Sequence, residues 1–236
     1  KMLDLFGRPH HVTLPVEAFD EAVLDHGVGF DGSSYGFRKV EASDMVMVPD
    51  LDSASVDPFR DVATASVFAR VHQAEDGLPV ALQDTRGVLR RAIECYRKRG
   101  LAADLHVAPE YEFYLFRDVD NEVREASSYY RVHGEEELDY NTYHLVNPWD
   151  RYDDFRDRAT RLLIEQGMPV KYHHHETGGH GQQEIEFLMA PVCEAGDSAL
   201  MVKYLLQNLA EREGLRVTFM AKPIHEAPGN GWHTHQ

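Results

Sequence analysis

Hydrophobic and polar positions follow different patterns in the two halves of the chain. Up to about residue 71 the apolar runs are short and separated by turns, which predicts short strands and one small helix. Further on, apolar residues recur every three or four positions in three stretches, which predicts helices over residues 84–100, 151–166 and 195–213. Asp84 is predicted to cap the first of these helices and Asp150 the second. The charged stretch 118–139 has no clear period and is predicted as a long irregular excursion. Together the two patterns predict an α+β fold.

A polar stretch separates these patterns. Residues 73–79 include Gly77 and Pro79, residues that interrupt regular structure. We therefore predict a boundary here, between a first domain of residues 1–76 and a second domain of residues 77–236.

One predicted strand of the second domain carries two acids inside an aromatic run. Residues 105–116 include Glu110 and Glu112, which lie two positions apart. Side chains two apart on a strand project from the same face. Because buried carboxylates need a partner, this spacing indicates either a metal site or two solvated surface acids.

A predicted hairpin over residues 172–188 brings two more acids towards each other. Three glycines between residues 178 and 181 allow the backbone to turn, with Glu176 before the turn and Glu184 after it. Carboxylates that converge without Lys or Arg between them stay ionised only when a cation binds. Oxygen ligands of this kind suit Mg²⁺ or Mn²⁺. The alternative is four surface glutamates on adjacent strands.

Histidines accompany both groups of acids. His173, His174 and His175 are consecutive, and neighbouring strand residues point to opposite faces, so the three cannot converge on one zinc ion. His233 and His235 lie two apart and share a face. Either could join a carboxylate metal site, the alternative being two exposed histidines.

Composition excludes several classes of protein. The apolar share of 43% in 236 residues supports a packed core rather than a disordered chain. A net charge of −16 without a basic run disfavours nucleic acid as a partner. The sequence contains no signal peptide and no apolar run of about 18 residues, so we expect no membrane partner and a cytoplasmic location. The two cysteines lie far apart, which favours a reducing compartment, and Cys95 is expected on a buried helix face.

Four runs, in order along nearly the whole chain, resemble the glutamine synthetase family of the bacterial and archaeal type. Each run alone is moderately specific, and their shared order makes the resemblance strong. The runs are Phe30-Asp31-Gly32-Ser33-Ser34 with Ser43-Asp44-Met45 and Pro49-Asp50; Pro109-Glu110-Tyr111-Glu112-Phe113; His174-His175-Glu176 through Gly181-Gln182-Gln183-Glu184; and Lys222-Pro223 through Gly231-Trp232-His233-Thr234-His235.

The resemblance implies a fold and a reaction. The fold is a small β-grasp-like N-terminal domain followed by part of a catalytic domain, a curved antiparallel sheet with helices. The reaction moves the γ-phosphoryl group of ATP onto L-glutamate, and ammonia then displaces phosphate to give glutamine. Two Mg²⁺ or Mn²⁺ ions per site serve as cofactors. The family assembles into stacked rings, so the implied partner is a second copy of the protein.

The resemblance also implies two sets of metal ligands. Glu112, Glu176 and Glu184 would hold one divalent ion on the substrate carboxylate side. Glu110 and His233 would hold the second ion near the ATP phosphates.

Four further residues match positions that bind substrates in the family. Asp31 and Ser34 would belong to an ammonium site that a neighbouring subunit completes. His235 would lie near the nucleotide, and the backbone of Gly229 would help to hold glutamate.

One loop departs from the family pattern. The family usually has Asn-Gly-Ser-Gly-Met before the metal histidine, whereas this chain has Pro228, which offers neither an amide side chain nor a backbone N–H. This change fits relatives that join glutamate to polyamines or ethanolamine, while the retained Asp31 favours ammonia. A non-catalytic structural relative and an unrelated metal-dependent hydrolase that uses the histidines are further alternatives.

The family's arginines that clamp glutamate and phosphate have no counterpart in these 236 residues. We therefore expect the sequence to be a piece of a longer chain, cut at both ends. We also expect this piece to be inactive on its own.

Overall fold

The chain folds as two compact units, Lys1–Asp104 and Leu105–Gln236. The structure is a computed structural model that describes residues 1–136, 138 and 141–236. The helix that follows the polar stretch 73–79 belongs to the first unit by its contacts. The domain boundary between residues 76 and 77 stays a prediction.

Strands and two helices make up the first unit. The sequence pattern predicts only the smaller helix there, since it assigns the helix over residues 84–100 to the second domain. Two short strands, β1 (Met2–Leu3) and β2 (Pro9–His10), pair with each other. A second antiparallel sheet contains β3 (Val28–Asp31), β4 (Asp44–Val56) and β5 (Ala65–Gln73), with β4 in the middle. The helices are α1 (Glu21–His26) and α2 (Thr85–Lys98). Its buried cluster consists of Met2, Phe37, Met45, Met47, Ala69, Val71 and Ala81.

Helix α2 begins after the predicted cap, but one side chain that was predicted to be buried is exposed. Asp84 caps its first turn, since one carboxylate oxygen accepts the backbone N–H of Gly87 at 2.8 Å. The other oxygen accepts the N–H of Val71 at 3.2 Å, which ties the helix to β5. The prediction that Cys95 is buried is wrong, because this thiol is exposed on the last turns of the helix.

The second unit is built on a six-stranded antiparallel sheet that forms around one long strand. That strand, β6 (His106–Phe116), pairs with β10 (Gln182–Phe187) on one side, and β10 pairs with β9 (Val170–His175). Three short strands also pair with β6, namely β11 (Ala190–Pro191), β12 (Arg216–Thr218) and β13 (Thr234–His235). The predicted hairpin is confirmed as β9 and β10.

Two helices pack in the second unit. These are α3 (Asp153–Glu165) and α4 (Val192–Arg212), and α3 contacts β9 while α4 contacts β6 and β12. The prediction that Asp150 caps α3 is wrong: the helix begins at Asp153, and Asp150 binds Arg156 instead, with an Nη2–Oδ2 distance of 2.5 Å. No helix in the described part of the chain is long and apolar enough to cross a membrane.

The charged stretch over residues 118–139, predicted as an irregular excursion, contains a regular hairpin. Strand β7 (Asp118–Val123) pairs with β8 (Ser128–His133) in a separate two-stranded sheet. The part of this stretch at residues 137 and 139 lies outside the described residues.

The main sheet of the second unit has two chemically different faces. Alternate residues of β6 and β10 are aromatic or aliphatic, and Tyr111, Phe113 and Ile185 are almost fully buried. The residues between them are acids, and the strand register places Glu112 opposite Glu184. At residues 110–113 and 184–187 the strands therefore direct apolar side chains towards one face and carboxylates towards the other, whereas Tyr114 and Phe116 follow the acids on the second face as a separate apolar cluster.

The cap of α2 provides a test of the first unit. We expect Asp84→Ala to lower the free energy of unfolding by about 2 kcal/mol, because it removes the cap and leaves the buried N–H of Val71 without an acceptor. Asp20→Ala removes the exposed cap of α1, which accepts only the N–H of Val23, and should cost about 1 kcal/mol or less. Urea unfolding followed by circular dichroism measures both. Equal losses would contradict the role given to Asp84.

Candidate metal centre

Three carboxylates from three strands meet on the acidic face of the sheet. Glu112 of β6 and Glu184 of β10 are paired in register, and Glu176 directly follows β9. One oxygen of each carboxylate lies within 4.8 Å of the others. The structure thus brings together the three residues that the sequence predicts for the first ion. Their role as ligands stays a prediction.

The carboxylate of Glu112 is the most firmly held of the three. Its Oε2 accepts hydrogen bonds from Gln182 Nε2 and from the backbone N–H of Gly231, each at 2.9 Å. Its Oε1 lies 3.5 Å from His233 Nε2. A Cβ on Gly231 would lie 2.5 Å from Glu112 Oε1, so only glycine allows the loop to approach this closely.

Burial and mutual repulsion disfavour ionisation of the cluster. Burial, together with the charges of Glu176 and Glu112, raises the pKa of Glu184 from 4.5 to about 8. Burial likewise raises the pKa of Glu112, with the charge of Glu176 adding to the effect. Within the described residues, neither Lys nor Arg pairs with these three carboxylates. A bound cation would therefore relieve both the repulsion and the cost of burial.

His174 adds a buried acceptor to the same place. Its Nδ1 lies 3.2 Å from the carbonyl oxygen of His175, so Nδ1 donates and Nε2 carries the lone pair. That Nε2 is 3.5 Å from Glu184 Oε2, and burial lowers the pKa of His174, which favours the neutral ring. His174 Nε2 and Glu176 Oε2 are both buried without a hydrogen-bond donor. Facing acceptors without a donor between them fit a bound cation, and the carboxylate oxygens suit Mg²⁺ or Mn²⁺.

His233 and His235 each lie beside an acid, but the acid beside His233 differs from the one that the resemblance implies. The resemblance pairs Glu110 with His233, whereas the carboxylate of Glu110 lies 2.5 Å from Nε2 of His235. Strand β13 fixes this arrangement, since the backbone N–H of Glu110 also donates to His233 O at 2.9 Å. Among the described residues, no cluster of three possible ligands contains Glu110 or His233. The second ion site stays a prediction.

The remaining predicted residues lie in two places. Gly229 is in the loop before β13, where its carbonyl oxygen accepts Gln182 Nε2 at 2.9 Å. Asp31 and Ser34 belong to the first unit, where Asp31 accepts the N–H of Ser33 at 2.8 Å and the hydroxyl of Ser34 at 3.4 Å. Hydrogen bonds from the side chain and backbone of Ser33 lower the pKa of Asp31, so this carboxylate is ionised at neutral pH.

Sequence reasoning missed the residue that links the acidic face to the loop. Gln182 Nε2 lies within hydrogen-bond distance of Glu112, the carbonyl oxygen of Gly229 and the side chain of Asn230. Its position two residues before Glu184 places it on the same face of β10, and this spacing was the available signal.

Sequence reasoning also missed two pairs beside the cluster. Glu186, opposite Glu110 in register, is held by Lys171 at 2.8 Å and by the hydroxyl of Tyr172. On the other face of β9, His175 contacts Glu136 at 2.7 Å. Burial opposes the charged ring of His175, but the hydrogen bond and charge of Glu136 outweigh it and raise the pKa of His175.

Comparison with known proteins identifies the family and agrees with the fold. The glutamine synthetase beta-Grasp domain matches residues 1–74, and the glutamine synthetase catalytic domain matches residues 82–236. A glutamine synthetase of Mycobacterium bovis is 34% identical over the whole chain, which covers 54% of that protein. A 3-hydroxylaminophenol mutase of Cupriavidus pinatubonensis is 33% identical, again over the whole chain and 54% of the relative.

Solved structures give the same fold. A Plasmodium falciparum glutamine synthetase superposes with a TM-score of 0.90 over 99% of this chain and 49% of that one, at 20% sequence identity. The chain belongs to the glutamine synthetase family, and the predicted α+β fold with a β-grasp domain is confirmed. It spans about half the length of the curated relatives that it matches.

The raised pKa of Glu184 predicts how stability changes with pH. Between pH 4.5 and about 8 the unfolded chain loses this proton while the folded chain keeps it. Glu184 therefore lowers the free energy of unfolding as pH rises, by up to about 1.4 kcal/mol per pH unit. We expect Glu184→Gln to remove this loss between pH 6 and 8, as measured by urea unfolding with a chelator present.

Glu125→Gln is the matched control, because Glu125 is an exposed glutamate in the turn between β7 and β8. If parent and E184Q lost the same stability between pH 6 and 8, the assignment of a raised pKa to Glu184 would be wrong.

Proposed function

We propose that this chain supplies the metal-binding part of a glutamine synthetase active site. The whole protein would join ammonia to the γ-carboxylate of L-glutamate at the expense of ATP, through γ-glutamyl phosphate. The observation that carries the proposal is the convergence of Glu112, Glu176 and Glu184 on a buried face without a cationic partner among the described residues. Membership of the family supports it.

Each acid has a defined part in this proposal. Glu112, Glu176 and Glu184 would hold one Mg²⁺ or Mn²⁺ ion, and Glu110 and His233 would belong to the second. When bound, these ions would neutralise the charge that develops on the transferring phosphoryl group. Gln182 and the backbone of Gly231 keep the carboxylate of Glu112 in a fixed orientation, so that less entropy is lost when the ion binds.

Substrate binding would use the loop before β13 and residues of the first unit. Gly229 would contact glutamate through its backbone, and His235 would lie near ATP. Asp31, which is ionised, would bind ammonium and take its proton in a site shared with Ser34 and completed by a neighbouring copy. This arrangement requires self-association, for which we propose the rings of the family, in the cytoplasm.

A second candidate is ligation of glutamate to a larger amine. It is favoured by the loop around Pro228, whose carbonyl oxygen accepts the hydroxyl of Tyr114 at 2.6 Å. The amide of the neighbouring Asn230 donates to the carbonyl oxygens of Met220 at 2.9 Å and Thr218 at 3.4 Å. The polar groups of both residues are therefore engaged within the protein, so in this proposal the loop would contact the amino-acid substrate differently.

Titration with Mn²⁺ tests the proposed centre directly. We expect the chain to bind Mn²⁺ and Glu176→Gln to weaken binding by at least about 100-fold, because loss of a supporting residue alone typically costs 10- to 100-fold. Binding can be followed by the electron paramagnetic resonance signal of free Mn²⁺. Glu125→Gln should bind as the parent does. Equal affinities for parent and E176Q would contradict the role of the three carboxylates.

The acceptor is tested by phosphate release from the protein at its natural length. The assay contains ATP, Mg²⁺ and glutamate, with ammonium in one sample and spermidine or ethanolamine in others. We expect release with ammonium, and we expect Asp31→Asn to lower it at least about 10-fold, since a neutral amide does not take the proton of ammonium. Release only with the larger amines would favour the second candidate.

A further inference from the structure

The backbone beside Glu176 is fixed from the face of the sheet opposite the carboxylates. The carbonyl oxygen of Glu176 lies 2.6 Å from His175 Nδ1 and 2.8 Å from the hydroxyl of Thr142, which lies equally 2.8 Å from the carbonyl oxygen of Thr177. The backbone N–H of Glu176 donates to the carbonyl oxygen of Gln182 at 3.0 Å. Both peptide groups that flank this side chain are therefore held, although it comes directly before a glycine turn.

The ring of His175 is itself held by a buried acid. Its Nε2 lies 2.7 Å from Glu136 Oε2, and both side chains are fully buried. The other oxygen of Glu136 accepts the backbone N–H of Arg151 at 2.8 Å. A carbonyl oxygen can only accept, so Nδ1 of His175 donates to the carbonyl oxygen of Glu176. The ring is therefore held at both nitrogens, by the carbonyl oxygen of Glu176 on one side and by the carboxylate of Glu136 on the other.

Neighbouring charges show that this cluster is an ion-pair network rather than a second cation site. Glu136, Asp150 and His175 approach within 4.8 Å, as metal ligands would. However, the guanidinium of Arg156 already binds both oxygens of Asp150, at 2.5 and 3.1 Å. Arg156 also binds Asp153 at 3.0 Å. Because both oxygens of Asp150 are already occupied by this guanidinium, Asp150 is not free to act as a metal ligand.

We propose that Glu136, His175 and Thr142 are positioning residues that aim the carboxylate of Glu176 at Glu112 and Glu184. The inference rests on the proposed metal centre and adds residues that contact none of the metal-binding oxygens. Because the carbonyl of Glu176 is clamped, its side chain leaves the backbone in one direction. Supporting hydrogen bonds of this kind keep ligands within the small tolerance that metal coordination allows.

Mn²⁺ binding by the chain tests the proposal. We expect Glu136→Gln to weaken Mn²⁺ binding by about 10-fold or more, because the substitution removes the carboxylate that orients the ring of His175. The matched control is Asp120→Asn, which breaks the exposed pair of Asp120 with His133 at 3.0 Å in the same unit. This control should bind Mn²⁺ as the parent does.

Thr142 provides a second test if E136Q does not fold. Thr142→Val keeps the shape of this buried side chain but removes its donor, whereas Thr142→Ser keeps the hydroxyl. We expect weaker Mn²⁺ binding in T142V and near-parental binding in T142S. The spectrum of bound Mn²⁺ at saturation should broaden in T142V, since a displaced Glu176 lowers the symmetry of the ligands. Simple destabilisation would leave the spectrum of the folded fraction unchanged.

The outcomes separate this inference from the proposed function. If the parent chain binds no Mn²⁺, the proposed centre is wrong and the inference falls with it. If the parent binds Mn²⁺, but T142V, and E136Q where it folds, bind within about twofold of the parent with the parental spectrum, only the positioning role is wrong.

Discussion

Carboxylates lie opposite one another on one face of the main sheet, and their mutual repulsion is the constraint on which the rest of the second unit depends. Antiparallel pairing places acid opposite acid, Glu112 against Glu184 and Glu110 against Glu186, an arrangement that normally destabilises a sheet. Neighbouring acids differ in how they are compensated. Glu186 has a cationic and a hydroxyl donor, whereas Glu184 on the same strand lies, among the described residues, beside His174 Nε2 and other acids. Within the described part of the chain, the negative charge without a cationic partner is thus concentrated between Glu112, Glu176 and Glu184.

The opposite face of the same strands makes this arrangement possible. Phe113 and Ile185 alternate with the acids and are completely buried, so β6 and β10 are anchored by apolar packing. Arg156 reaches this face from α3 and binds Gln183 and His173, which are neighbours of site residues in sequence. Apolar packing on one face of the sheet therefore offsets the repulsion between carboxylates on the other face. Such a compensation is expected where a site contains a locally unfavourable arrangement.

Local patterns in the sequence were sufficient for the features that depend on spacing alone. The two-residue spacing of Glu110 and Glu112, and the glycines after Glu176, predict the shared face and the hairpin because strand geometry fixes both. Asp84 was recognised as a cap because its hydrogen bond to Gly87 spans only three residues. These interactions involve the backbone of the same or the next element.

Features that depend on distant partners were not predictable in this way. Asp150 resembles a helix cap, but a buried guanidinium competes for it and moves the start of α3. Glu136 and His175 are 39 residues apart, and nothing in either local pattern indicates the pair. The strands β7 and β8 carry charges on positions without a clear period, because this hairpin pairs with itself outside the main sheet.

The alternating glycines of the loop before β13 restrict how this site can change during evolution. A Cβ on Gly229 would lie 2.6 Å from the carbonyl oxygen of Ala221, just as one on Gly231 would meet Glu112. Neither position can accept a side chain without moving backbone or a carboxylate. Within residues 228–232, substitutions that leave these neighbours in place are therefore restricted to positions 228, 230 and 232. We expect a relative that uses a different amine to carry substitutions at these positions and to keep the glycines between them.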